Sequence, residues 1–404
     1  MGFKILHTIR SVNPMGGGPI EGVRRIAHFN EKAGHTVEIA CLDAPGSPWL
    51  KDFPVKCHAL GPGFMKYGYS SKMVPWLREN RSNYDVVIVN GIWQYNAFAV
   101  WLALADTPTP YFVFTHGMLD PWFKKKYPFK HLKKWLYWPW GDYRVLRDAT
   151  AVLFTCEEER RLARKSFWLY RCDELVVNYG TAAPVGEPGS QRIEFERRFP
   201  IVEGKACFLF LSRIHEKKGV NLLLKAFAEV VKECPVSNLR PLHLVIAGPT
   251  ESVYANEMAA LAVSLKIASK VTWTGMLQGD LKYGAFRSCE AFILPSHQEN
   301  FGIAVAEALA CGLPVLISNC VNIWREIQQD GAGFIDVDTP EGTTRLMQKW
   351  INLPESERVA MRVRAKSCFD NRFRVEATAE SLIEVFRLHG IRSVADNGNS
   401  EDGL

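Results

Sequence analysis

The residues best suited to chemistry lie between 299 and 315, in Glu-Asn-Phe-Gly-Ile-Ala-Val-Ala-Glu-Ala-Leu-Ala-Cys-Gly-Leu-Pro-Val. This run follows a strand expected over Ala291 to Leu294 and opens a helix. Asn300, Phe301 and Gly302 would therefore present backbone N–H groups at a helix N-terminus, a place suited to an anion or a sugar hydroxyl. Glu299 stands at the mouth and Glu307 about one and a half turns along, so both carboxylates can reach one cleft. Glu307 is flanked by Ala and Leu, where a carboxylate is costly to bury without polar partners. The plainer alternative is one glutamate capping a helix and one solvated.

Three further groups sit where strands end. Leu211-Ser212-Arg213-Ile214-His215-Glu216-Lys217-Lys218-Gly219 places Arg213 and Lys218 after a strand and before a helix. A guanidinium can fork a phosphate there and an ammonium adds a point charge, although basic loops are commonly just solvated. Gly16-Gly17-Gly18-Pro19 forms the first strand–helix turn, and Gly17 and Gly18 permit close backbone approach to a phosphate. His116, in Phe114-Thr115-His116-Gly117-Met118, stands at the end of another strand. A lone histidine is more often structural, but a place at a cleft edge argues for a working one.

Other chemistries are excluded by pattern. Glu21 occupies the last glycine position of a dinucleotide fingerprint, and neither Glu38 nor Asp43 is well placed for a ribose. G-x-x-x-x-G-K-[ST] is absent. The ten cysteines include no C-x-x-C, and the nearest pair, Cys311 and Cys320, is nine apart, so zinc-ribbon spacing is missing. Several, such as Cys207, lie in apolar runs and read as reduced, buried thiols, which points to a cytoplasmic compartment.

Strands and helices alternate around these groups. In the first half, strands are expected at Lys4 to Thr8, Thr36 to Cys41, Val86 to Val89, Tyr111 to Thr115 and Ala151 to Thr155, with a helix over Val23 to Lys32 stopped by Gly34. Ala183 to Gly204 is rich in Pro and Gly and reads as a linker. The alternation restarts with strands Cys207 to Leu211, Leu242 to Ala247, Val271 to Thr274, Ala291 to Leu294 and Pro314 to Ile317. Helices are expected between them at Val220 to Lys232, Ala255 to Leu265, Leu281 to Ser288 and Gly302 to Cys311. The expected fold is α/β, two Rossmann-like domains facing a central cleft. The expected division is 1–185, a linker at 186–204, a second domain at 205–375, a helix at 376–390 crossing back to the first domain, and a disordered tail at 391–404. The N-terminus lacks an h-region and reads as a strand rather than a signal peptide. Val86 to Ala105 carries no formal charge over twenty residues. Its β-branched start and the Asn90-Gly91 break read as a buried strand, with a helix from Trp93 to Ala105, rather than a membrane span.

Composition is ordinary: 404 residues, 47% hydrophobic, 23% charged, net charge +6. The excess is local. Residues 121–141 hold six Lys, no Asp or Glu, and eight aromatics, so the rest of the chain is neutral. Such a segment suits an anionic membrane surface, or an acidic or lipid-pyrophosphate ligand. It can also be a solvated Lys-rich loop whose aromatics pack inward. Nothing else in the chain supports nucleic acid.

Four motifs in order resemble one family. Glu-x7-Glu with Ala-x-x-Cys-Gly-Leu-Pro-Val, Arg-x4-Lys-Gly, Gly17-Gly18-Pro19 with Val23-Arg-Arg-Ile-Ala and Gly34-His35-Thr36-Val37, and His116-Gly117 are similar to glycosyltransferase family 4. These are retaining, nucleotide-sugar-dependent enzymes of the GT-B fold, and the similarity runs from Lys4 to about Leu388. It implies that Glu307 binds the donor ribose and Glu299 the 3- or 4-hydroxyl of the donor sugar. The N–H groups of Phe301 and Gly302 would hold the sugar, with Ile303 and Ala304 alongside. Arg213 and Lys218 would neutralise the leaving diphosphate, helped by Gly17 and Gly18. His116 would approach the anomeric centre and Leu277 the base. Ile20 replaces the acidic residue more common in the family's glycine turn.

No D-x-D is expected beside these motifs, so no metal or other cofactor is expected, with the two cations stabilising the leaving group instead. The expected activity is hexosyl transfer from a UDP-sugar, glucose or galactose first, or a GDP-sugar such as GDP-mannose. The acceptor would be a glycan or lipid-linked, in surface or exopolysaccharide assembly at the inner face of the cytoplasmic membrane. A nucleotide-sugar epimerase and a non-catalytic nucleotide-sugar-binding protein are the alternatives on the same fold.

Overall fold

The computed structural model describes residues 2–233 and 240–392. Cys234 and the expected tail from 393 onward lie outside them. Two compact units emerge, one running to Gly180 and resuming at Val375, the other Thr181–Arg374.

The first unit holds a seven-stranded sheet in the order β3-β2-β1-β4-β5-β6-β7. Its strands are β1 (Lys4–Ile9), β2 (Thr36–Cys41), β3 (Lys56–Ala59), β4 (Val86–Asn90), β5 (Tyr111–Phe114), β6 (Ala151–Phe154) and β7 (Glu174–Val176). All pair in parallel, with Ile5 opposite Val86 and Val89 opposite Val113. β4 is buried along its whole length, the mark of a central strand covered on both faces. The charge-free run continues into a helix, Tyr95–Leu104, whose Ala97, Ala99, Val100 and Leu104 pack on the sheet. No helix among the described residues is long and apolar enough to cross a membrane.

The second unit has six parallel strands in the order β10-β9-β8-β11-β12-β13. They are β8 (Ala206–Leu211), β9 (Leu242–Ala247), β10 (Val271–Gly275), β11 (Ala291–Leu294), β12 (Val315–Ser318) and β13 (Gly333–Asp336). The last helix, Val375–Leu388, belongs to the first unit. Phe386 brings its ring within 5.4 Å of Phe112 and 5.8 Å of Phe3.

Several expectations need correction. The supposed linker contains a helix, Pro188–Arg198, with Gln191 and Phe195 buried. Pro188 starts it, and the Glu187 carboxylate accepts the Ser190 N–H at 2.6 Å. It packs on the helix Gly279–Ser288 at Gly284, where a Cβ would stand 2.2 Å from the Gln191 carbonyl. Only glycine allows that approach. The division between the units falls at Gly180 rather than after 185. The first long helix starts at Gly18, five residues ahead of the expected Val23. β3, β7 and β13 were not expected; each is an edge strand of partly exposed residues, so no continuous apolar run betrays it.

Candidate functional site

In the second unit β8 and β11 are neighbours, and the chain leaves them toward opposite sides of the sheet. Their C-terminal ends therefore frame a crevice, the usual place for a ligand in an open parallel sheet. Most of the expected site residues lie in the loops that leave those two ends.

Lys218 closes a single turn, Glu216–Lys218, and is followed by Gly219 at φ +70°. A Cβ at Gly219 would meet the Pro295 carbonyl at 2.1 Å, so glycine lets this loop lie against the end of β11. The His297 N–H donates to the Lys217 carbonyl at 2.9 Å, tying the two loops together. Lys218, 6% exposed, donates from its ammonium to Glu299 Oε2. Glu299 is itself anchored: its N–H donates to Cys320 O at 2.9 Å and its carbonyl accepts from Asn322 N at 3.0 Å. Burial alone would push its carboxyl up, but Lys218, with Lys217 and Arg213 behind it, holds it below the usual carboxylate value. Arg213 is exposed in the loop after β8.

Glu307 is 4% exposed on the helix Ile303–Ala310. The polar partner that its apolar flanks demand is Lys282, whose ammonium lies 2.8 Å from Oε1. Lys282 was missed in the sequence because it sits on the helix Gly279–Ser288, on a different segment. That helix follows the loop carrying the half-buried Leu277. Gly302 caps the Glu307 helix at φ +76°. Ile303 and Ala304 are partly exposed at its first turn, whereas the Phe301 ring is buried edge-on against Phe373 at 5.6 Å. Phe301 can thus offer only its main chain.

A D-x-D does stand beside the motifs, contrary to expectation: Asp336-Val337-Asp338, at the end of β13. Asp338 reaches His297 Nδ1 at 2.8 Å, and Asp336 takes the Arg345 guanidinium at 2.5 and 3.0 Å. The parallel strands bring Asp338 beside the loop after β11, a proximity that the sequence hides. Among the described residues no three His, Cys, Asp or Glu cluster as a metal set.

The first unit repeats the arrangement at the ends of β1 and β4. Gly17, at φ +87°, precedes the helix Gly18–Lys32, and a Cβ there would meet nothing within 4 Å. Ile20 is buried one turn on, a core residue rather than a contact. His116 follows β5 at φ +48°, a strained conformation for a non-glycine residue. Burial pushes its imidazole down to about 4, against a smaller opposing pull from Glu159.

Residues 122–126 and 128–137 of the basic segment are helical. Trp138 is fully buried, while Phe129 is 84% exposed, and Leu132, Leu136 and Trp140 also face solvent. The aromatics therefore do not all pack inward.

Residues 17–179 match the family model "Glycosyl transferase 4-like domain", and residues 191–367 match "Glycosyl transferases group 1". A D-inositol 3-phosphate glycosyltransferase of Rhodococcus jostii is 31% identical over 275 residues, 65% of this chain and 57% of the relative. That of Kineococcus radiotolerans is 26% identical over 258 residues, 61% of this chain and 59% of the relative. The chain thus spans a little over half the length of these curated relatives. Among solved structures, a glycosyltransferase of Rickettsia africae aligns with TM-score 0.75 at 16% identity, over 97% of this chain and all of that one. Anabaena HepE in complex with UDP-glucose aligns with TM-score 0.72 at 16% identity, over 96% of this chain and 100% of that one. At such identity the likeness speaks for the fold.

Proposed function

The chain belongs to the group 1 glycosyl transferases, and from that premise we propose that it moves a hexose from a nucleoside diphosphate sugar to a glycan or lipid-linked acceptor with retention. The observation that carries this reading is the pair of lysine-bound carboxylates at the β8–β11 crevice, Glu299 with Lys218 and Glu307 with Lys282. Paired carboxylates can accept sugar and ribose hydroxyls, and the same ammonium groups with Arg213 suit a diphosphate. UDP-glucose or UDP-galactose is the first choice of donor and GDP-mannose the next, with Leu277 near the base.

In this reading the bond from the anomeric carbon to the diphosphate oxygen breaks while the acceptor oxygen bonds the same face of that carbon. The acceptor proton passes to the departing phosphate, whose charge Lys218, Arg213 and the Gly17–Gly18 main chain offset. His116 lies beside the transferred sugar. No metal is invoked, because the cations supply the charge. Acceptor and donor incubated together should give a glycoside of unchanged anomeric configuration by NMR. A new sugar formed from donor alone would instead establish an epimerase, and no turnover with any UDP-, GDP- or ADP-sugar would leave only a binding protein.

The same reading places the chain at the inner face of the cytoplasmic membrane. Phe129, Leu132, Leu136 and Trp140 are exposed among six Lys, a composition that pairs apolar insertion with attraction to anionic headgroups. Sedimentation with anionic vesicles should retain the chain at low salt and release it at high salt. Absence of salt-sensitive binding would sink the membrane role.

A further inference from the structure

Asn90 ends β4 and is 3% exposed at the foot of a run of four fully buried apolar residues. Its amide nitrogen lies 3.3 Å from the Thr8 carbonyl, 3.4 Å from the Ile88 carbonyl and 3.2 Å from His7 Nδ1. Carbonyl oxygens only accept, so the NH2 end must face them; the reversed amide would set oxygen against two oxygens. The amide oxygen is thereby turned to His116, 3.3 Å from Nε2. An oxygen there requires a proton on Nε2. Burial keeps the imidazole neutral near pH 7, so its one proton is spent, and Nδ1 carries a lone pair.

Resting on the proposed place of His116 beside the transferred sugar, we propose that Asn90 is a positioning residue that fixes His116 as the Nε2–H tautomer, holding Nδ1 as a hydrogen-bond acceptor for a substrate hydroxyl. Nδ1 has no hydrogen-bond partner among the described residues. The ring plane is set by Phe114, stacked at 5.3 Å and 17°, and by the edge of Tyr179 at 6.2 Å. The strained backbone is clamped on both sides by one buried carboxylate. Glu159 Oε1 accepts from Thr115 Oγ1 at 2.7 Å and from Gly117 N at 2.5 Å, and Oε2 accepts from Thr155 N and Oγ1 at 2.8 and 2.7 Å. A histidine merely filling space needs neither a fixed tautomer nor a clamped loop. The titratable groups facing the ring are His7 from β1, Glu159 from the helix Glu157–Ala163 and Tyr179 after β7.

The tautomer is read directly by two-bond proton–nitrogen correlation on the full chain with 15N-labelled histidine, His7→Gln and His116→Gln assigning the signals. The wild type should show the Nε2–H pattern for His116 at pH 7. Asn90→Ala should convert it to a mixture and cut turnover on the order of tenfold while donor affinity stays within about twofold. Asn90→Asp keeps an acceptor at Nε2 but adds a negative charge, so the acid limb of its pH–rate profile should move upward. An Nδ1–H pattern in the wild type, or an unchanged tautomer in Asn90→Ala, overturns the proposal whatever the activity. If the tautomer is as stated but His116→Gln turns over at the wild-type rate, the placement of His116 fails, and with it the acceptor role.

Discussion

Both units build a crevice at the C-terminal ends of a parallel sheet, yet they furnish it with opposite electrostatics. In the second unit the crevice is held by ion pairs, Lys218 with Glu299 and Lys282 with Glu307. In the first it is held by a chain of neutral hydrogen bonds, His7 to Asn90 to His116, with burial keeping both imidazoles uncharged. The difference suits a division of labour. A group that offsets a departing phosphate must be charged before the reaction, whereas a group that orients a hydroxyl must have its proton in a known place.

Removing a charge from the second unit should therefore have the largest consequence. Lys218→Ala is expected to raise the barrier by about 2–4 kcal/mol, roughly 30- to 1,000-fold in turnover. Steady-state kinetics at saturating donor measure it. Glu307→Ala should act on binding instead, weakening the donor about tenfold or more in a titration, because it removes a hydroxyl acceptor and leaves Lys282 unpaired at the crevice. Lys282→Ala should weaken the donor in the same direction through the carboxylate it anchors. Near-wild-type behaviour in both Lys218→Ala and Glu307→Ala would erase the contrast between the units.

How much of this contrast was legible in the sequence depends on spacing. Glu299 and Glu307 lie on one turn and helix, and Arg213 and Lys218 on one loop, so their neighbours could be read along the chain. Lys282 could not, because 25 residues separate it from Glu307 and only the packing of two helices brings them together. Asp338 was hidden in the same way behind the β11–β12–β13 crossover. Asn90 was visible only as a break in an apolar run. Its work depends on carbonyls of β1 and β4 and on a histidine after β5, which share nothing in sequence. The core strands were readable because both faces are apolar, whereas the edge strands β3, β7 and β13 were not, because their residues are partly exposed and form no apolar run.

The smallest effect should separate the buried imidazoles of the first crevice from the Glu299 carboxylate of the second by pH. His7 is fully buried, and burial, aided by His116, pushes its imidazole down to about 3. An imidazole whose folded value lies below the unfolded value of about 6.5 stabilises the fold above that pH. The contribution fades as pH falls, since the unfolded chain takes up the proton first, and it is spent near the folded value. His7 and His116 should thus begin to cost stability just below pH 6.5, at no more than about 1.4 kcal/mol per pH unit each. Glu299, held below the usual carboxylate value, contributes stability above that value and loses it only as pH drops through the carboxylate range. Between pH 6.5 and 5 the acid loss should therefore come from histidines and not from Glu299: from His7 and His116 in the first unit, and in the second from His215 and from His243, which burial pushes down to about 4. Melting temperatures of the wild type and His7→Gln across this interval test it: the variant, which keeps an acceptor for Asn90, should show the shallower decline. Parallel curves would mean that His7 is not held neutral, and the two crevices would then differ less than their hydrogen bonds suggest.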